Sequence, residues 1–326
     1  MHKRQAAMTT MEGAAGSPGT QQLRKNGGRP RSVSPSTIRN MVSGLLFISP
    51  WLVGLIVFAL YPILASAYFS LTSYNIVKPP QFIGLQNYRD LFVDKYFLTA
   101  LGNTLYYAVF YIPASTIISV SLALLLNMKV RGMAFYRTVF YLPSIVPAIA
   151  SSMLWLWVFN PQYGLANELL RVIGLPPLGW MSSPAWSKPS LIMMSLWAVG
   201  GGIVIFLAGL QDIPEHLYEA AELDGANAVR KIIHITIPLL TPSIFFNVVI
   251  DTIGAFQYFT AAFVMTGGQG GPLDSTLFYA LLLYRNAFTY FKMGYASAMA
   301  WILFMIVFAA TLLIFRSSSR WVHFGG

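Results

Sequence analysis

Glu219-Ala220-Ala221-Glu222-Leu223-Asp224-Gly225, followed after nine intervening residues by Ile235-Thr236-Ile237-Pro238, forms a polar island between two long apolar runs. Five of the chain's eleven acidic residues fall between Asp212 and Asp224. Pro214 suits the start of a helix, where its missing N–H costs nothing. Glu215, Glu219 and Glu222 stand three or four residues apart and share one helical face. Asp224-Gly225 ends that helix in a turn. Asn227 to His234 has the makings of a second helix, and Pro238 marks the entry to the next apolar run. The small Ala220 and Ala221 leave a slim surface able to enter a groove.

The rest of the chain says what kind of island this is. Of 326 residues, 56% are hydrophobic and 10% charged, against about a quarter charged in a soluble domain. That composition describes an integral membrane protein. Aromatic residues at 15% fit rings at headgroup level. The absence of cysteine excludes disulfides, thiolate metal sites and cysteine nucleophiles. The histidines His2, His216, His234 and His323 are scattered and make no metal-ligand cluster, and no catalytic constellation is present. The net charge of +10 does not point to nucleic acid, because the basic residues gather in the first 40 positions and in short loops beside apolar runs.

Crossing a bilayer takes about 20 apolar residues. Six segments qualify: about Met41–Leu71, Leu98–Met128, Phe135–Phe159, Leu191–Leu210, Leu239–Met265 and Met293–Phe315. With the N-terminus inside, the inner segments carry fourteen Lys and Arg and the outer ones seven. The positive-inside rule then puts both termini, and the Glu219 loop, in the cytoplasm. The expected fold is all-α and integral to the membrane, with six transmembrane helices. Residues 1–40 are expected to be a disordered basic cytoplasmic tail, and 41–326 the transmembrane domain. Outside, a short helix is expected near Asn87–Phe92, irregular chain over the proline-rich 160–190, and an interfacial or re-entrant helix over 275–291. Pro113, Pro143 and Pro147 read as tolerated kinks, and Trp155, Trp157, Trp180 and Trp186 as interface-belt residues.

The spacing of the island resembles the EAA loop of membrane subunits of bacterial ABC importers, with Ile237 where that family usually has Leu. Glu219, Ala220, Ala221, Asp224, Gly225, Ile235 and Pro238 match its marked positions. The resemblance covers about residues 100–315, with the loop at 211–238. Gly254-Ala255-Phe256-Gln257, Val264-Met265-Thr266-Gly267-Gly268 and Tyr284-Arg285-Asn286-Ala287-Phe288 resemble the carbohydrate-uptake class, MalF-like or glycerol-phosphate-permease-like. It implies the type I importer fold, a bacterial inner-membrane location, a second and different permease chain, two ATPase copies, and an extracytoplasmic solute-binding protein. In that family the loop docks into the ATPase, where Glu219 would meet a basic residue. This chain has no G-x-x-x-x-G-K-[ST] cradle, so ATP and Mg would be bound by the partner. Thr266-Gly267-Gly268-Gln269-Gly270 looks like an ATPase signature but, lacking that cradle, reads as a flexible outer turn.

Asp251 is the single acid within the six segments. Such a charge costs roughly 2.5–3.5 kcal/mol on insertion scales unless it faces protein or water. At about 100° per residue, Asn247, Asp251, Gly254 and Tyr258 share a stripe. Acid, amide and aromatic ring suit a sugar, by hydrogen bonds to hydroxyls and stacking on the ring face. A structural contact with a neighbouring helix is the other reading. Gly200-Gly201-Gly202 reads as close helix packing. The function that the resemblance implies is ATP-driven import of a sugar, a di- or oligosaccharide or a sugar-like solute, by alternating access. An ion-coupled secondary transporter, an importer of a non-sugar solute and an integral membrane enzyme are the alternatives.

Overall fold

The computed structural model describes residues 35–323, with side chains from residue 39 onward. The expected disordered tail lies outside these residues up to position 34. The last six residues assigned to it, 35–40, are instead the first turns of a helix that opens on Pro35. The chain divides into two units at Ala59 and Leu60. The first, as described, is α1 (Pro35–Leu55) and the start of a π turn (Ile56–Leu60).

The second unit begins with α2 (Tyr61–Ser70), a two-stranded antiparallel ladder of β1 (Thr72–Ser73) and β2 (Gln81–Phe82), and α3 (Gln86–Val93). The ladder is a small departure from an all-α fold. Asn87 fixes it to α3 by donating to the carbonyls of Ser70 and Thr72, at 2.8 and 2.9 Å. Next come α4 (Lys95–Leu126), α5 (Met133–Ile145), α6 (Ala148–Val158), α7 (Leu165–Val172), α8 (Pro184–Trp197) and α9 (Gly200–Gln211). The chain ends with α10 (Glu215–Leu223), α11 (Ala228–Lys231), α12 (Ile237–Phe256), α13 (Thr260–Thr266), α14 (Tyr279–Tyr284) and α15 (Met293–Ser318).

Among the described residues, four helical stretches are long and apolar enough to span a membrane: Arg39–Ser70, Lys95–Leu126, Ala228–Thr266 and Met293–Ser318. Two bent pairs, α5 with α6 and α8 with α9, raise the number to six if each pair is one span. The α5–α6 bend is 97°, where a tolerated kink was expected. Val146 precedes Pro147 and is extended (φ −66°, ψ 129°), the conformation a following proline imposes. The chain leaves the helix there and restarts it with Pro147 as cap. Pro113, by contrast, sits inside an unbroken α4.

Two apolar cores stack along the bundle. One gathers Val120, Ala123, Ile203, Phe206, Leu210 and Leu240 near the α10 end. The other gathers Leu91, Phe97, Tyr107, Phe278, Tyr279, Leu281 and Met299 toward the ladder end. Residues 275–287 are buried or half-buried against that second core, so this part is covered by protein and not interfacial, whereas Phe288, Tyr290 and Phe291 are exposed. Thr104 Oγ1 accepts from Tyr279 N at 2.9 Å, and Asn103 Nδ2 donates to the carbonyls of Asp274 and Leu277 at 2.8 and 3.1 Å. These bonds satisfy irregular backbone that would otherwise be costly at depth. Trp180 is also core and not belt: it is buried, stacks on Phe159 at 5.0 Å and donates Nε1–H to Asn167. The expected irregular stretch over 160–190 holds a regular helix, α7, because Pro161 and Pro176 flank it and do not interrupt it.

Candidate functional site

α10 is an exposed helix held at both ends. Gly225 takes φ +74° and Ala226 N–H bonds the Ala221 carbonyl at 2.9 Å, a closure that a glycine in the left-handed region allows. Lys231 Nζ donates to Glu222 Oε1 at 2.6 Å, and the Lys129 ammonium stands 3.4 Å from Glu215. The Lys231 hydrogen bond and charge hold the Glu222 carboxyl below the usual carboxylate range. Glu219 and Ala220 face outward, as does Leu223, which is 91% exposed. Tyr218 turns inward to share a hydrogen bond with Thr236 Oγ1 at 3.0 Å, and with Ile235 it packs on the core of Phe206, Leu210 and Leu240.

The second helix expected over Asn227–His234 is not a separate element. Ala228 to Phe256 runs on through a π turn at Ile232–Thr236, and Pro238 falls in the first turn of α12 without breaking it. Proline has no N–H to donate at that turn, so the ladder loses one bond there while the helix runs on.

Higher on the same helix, Asp251 Oδ2 accepts hydrogen bonds from Asn247 Nδ2 at 2.9 Å and from Ser115 Oγ of α4. Asp251 thus makes the contact with a neighbouring helix that one reading of the stripe expects, and it also lines open space. A cavity of about 430 Å³ is bordered by Tyr107, Tyr111, Ser195, Asp251, Gly254 and Tyr258. A second, of about 250 Å³, continues past Ser115, Ser119, Asn247 and Gly202, and shares Tyr111, Ala198, Ile250 and Asp251 with the first. Together they lie in the size range of small-molecule sites. Tyr258 does not extend the helical stripe, since α12 ends at Phe256. Its ring enters the cavity after the break and stacks on Tyr107 at 4.2 Å, which stacks on Tyr111 at 5.1 Å. Tyr107 Oη donates to Ser195 Oγ at 2.8 Å.

Tyr107, Tyr111, Ser115 and Ser195 went unmarked in the sequence reading. The first three, with Ser119, recur every fourth residue and so share a face of α4, a pattern that was there to find. Ser195 carries no such pattern. The bend of 47° between α8 and α9 accompanies its entry to the site. Gly202 permits the close approach, since a Cβ there would sit 2.9 Å from Ser119 Oγ and 3.1 Å from Asn247 Oδ1. A larger cavity, about 600 Å³, is lined by Asp90, Asp94, Asn286, Lys292 and Tyr295 and holds none of the expected site residues. Among the described residues no group of His, Cys, Asp and Glu could hold a metal.

Residues 115–323 match the family described as binding-protein-dependent transport system inner membrane component. The probable ABC transporter permease protein YesP of Bacillus subtilis (strain 168) is 42% identical over 302 residues, covering 92% of this chain and 97% of the relative. The lactose transport system permease protein LacF of Rhizobium radiobacter is 34% identical over 283 residues, 85% of this chain and 94% of that one. Among solved structures, a chain of a bacterial alginate ABC transporter, in complex with alginate pentasaccharide-bound periplasmic protein, superimposes with a TM-score of 0.77 at 22% identity, over 87% of this chain and 96% of that chain. This chain belongs to the family of binding-protein-dependent inner-membrane transport components. It has the ABC-importer permease fold and is a multi-pass inner-membrane subunit.

Proposed function

We propose that this permease imports a saccharide through the cavities around Asp251, driven by a separate ATPase that docks on the Glu219 loop. One observation carries the reading. The exposed α10 is tied through Tyr218 and Thr236 to a helix that continues unbroken to Asp251. A push on the loop therefore has a direct mechanical route to the cavity. Glu219, Ala220, Ala221, Asp224 and Gly225 would form the docking face, while Ile235 and Pro238 join it to the bundle. Stacked tyrosines suit a sugar ring face, and Asp251, Asn247 and Ser195 suit its hydroxyls. The lactose assignment of one relative agrees with that chemistry.

The proposed assembly has six spans, with both termini and the Glu219 loop in the cytoplasm. A second permease chain completes the path, two ATPase copies bind ATP and Mg, and a binding protein delivers solute from the far side. Glu219→Lys tests the coupling half: the variant should insert normally but lose ATP-driven uptake and co-purification of the ATPase. Wild-type uptake by that variant would defeat the docking role. The cargo half is tested by titrating candidate saccharides into the cognate binding protein and measuring stimulation of ATPase activity by the loaded form. Stimulation by a non-saccharide alone would defeat it.

A further inference from the structure

α7 is built with its polar side inward. At 100° per residue, Leu165, Leu169, Val172 and Ile173 fall within an arc of about 100°, and Asn167 points the opposite way. Leu169 is 60% exposed and Val172 78%, while Asn167 is 1% exposed. The buried amide makes four hydrogen bonds. Nδ2 donates to the carbonyls of Pro161 and Leu178, both at 3.0 Å, and Oδ1 accepts from Leu178 N at 2.9 Å and Trp180 Nε1 at 2.7 Å. These bonds fix the helix in one rotation, with its apolar ridge outward. Glu168 and Arg171 pair at 2.9 Å along the side of the ridge.

A water-soluble loop would turn that ridge inward and the amide outward. The chain does the reverse directly after α6, whose Met153, Leu154 and Trp157 are also exposed. The ridge thus follows in sequence an apolar surface that a membrane protein turns to lipid. Tyr163 in the connection and Trp186 at the start of α8, both exposed, are residue types that favour the headgroup level. A short helix with an apolar ridge and lateral charges is the form that lies in that layer.

We propose that α7 is an interfacial helix whose Leu165, Leu169, Val172 and Ile173 ridge sits in the lipid at the membrane surface. Asn167 acts as the pin that keeps it there, anchoring the link between α6 and α8 against the movements of transport. Because the chain has no cysteine, single cysteines at 168, 169, 171 and 172 can each carry a nitroxide. The labelled chain is assembled with cysteine-free partner subunits in phosphatidylethanolamine–phosphatidylglycerol vesicles. Labels at 169 and 172 should be relaxed more by dissolved oxygen than by a water-soluble nickel chelate, and labels at 168 and 171 the reverse. Equal access of the chelate to all four positions would overturn the proposal, as would loss of the alternation through unfolding. Shielding of 169 and 172 from both reagents would also overturn it, by showing that protein and not lipid covers the ridge.

Discussion

Asp251 concentrates the chemistry of the chain at one residue. A carboxylate at membrane depth persists only where donors and polar space replace water, and Ser115 and Asn247 are those donors. Ser115→Ala withdraws one of them, which should destabilise the protein in detergent by about 1–3 kcal/mol, read as a fall in unfolding temperature. Asp251→Asn keeps the shape but removes the charged acceptor. Uptake of the cognate solute should then drop roughly ten- to a hundredfold, the worth of one hydrogen bond to a charged group, with insertion unchanged. The acid was legible in the sequence because charge is rare there. The tyrosines of α4 were not read, since an aromatic stripe on an apolar helix looks like core. Tyr107 is in fact both: buried, and a wall of the cavity. Its double duty predicts a split between Tyr107→Phe, which loses only the Ser195 bond, and Tyr107→Ala, which should cost about 3–5 kcal/mol as a buried aromatic truncation.

At the level of elements, α10 and α9 depend on local geometry that tolerates little change. A β-branched residue at Gly225 would be held in the left-handed region. Gly225→Val should therefore loosen the α10 turn at a cost of about 1–3 kcal/mol, visible as faster amide exchange at Ala226. The Glu222–Lys231 bond has a defined pH behaviour. Its carboxyl titrates below the ordinary range, so the bond is intact at neutral pH and above the usual carboxylate value. It is lost as pH falls through the lowered one. Amide protection of α10 and α11 should follow that course, and Glu222→Gln should abolish the dependence. The helix–turn character of this loop was readable from Pro214, the glutamate spacing and Asp224-Gly225. The merging of its second half into α12 was not, because a π turn leaves no composition signal and Pro238 looks like a boundary. The same limit explains the α5–α6 bend. Pro147 announces a disturbance, but its size depends on the packing of α5 against α9, which joins residues far apart in the chain.

For the whole molecule, the apolar segments, the basic loops and the Glu219 spacing were enough to read the family, since each follows from the bilayer or from a marked motif. Folding positions Ser195, Trp180 and the 275–291 segment through contacts across the bundle, which no single stretch encodes. The proposed orientation makes a simple forecast. In sealed cells Asn75→Cys should react with a membrane-impermeant thiol reagent, and Ala226→Cys only after permeabilisation. The opposite pattern would invert the topology. Finally, under the proposed coupling the unbroken run from Ala228 through the π turn to Asp251 would act as a lever. At 1.5 Å per residue its arm is about 35 Å, so a tilt of only about 10° about the loop end would carry the carboxylate some 6 Å sideways, by that same estimate. Such a throw is comparable to the width of a sugar ring. The polypeptide would then work as a mechanical amplifier, turning a small rotation beneath the membrane into the opening or closing of a passage within it.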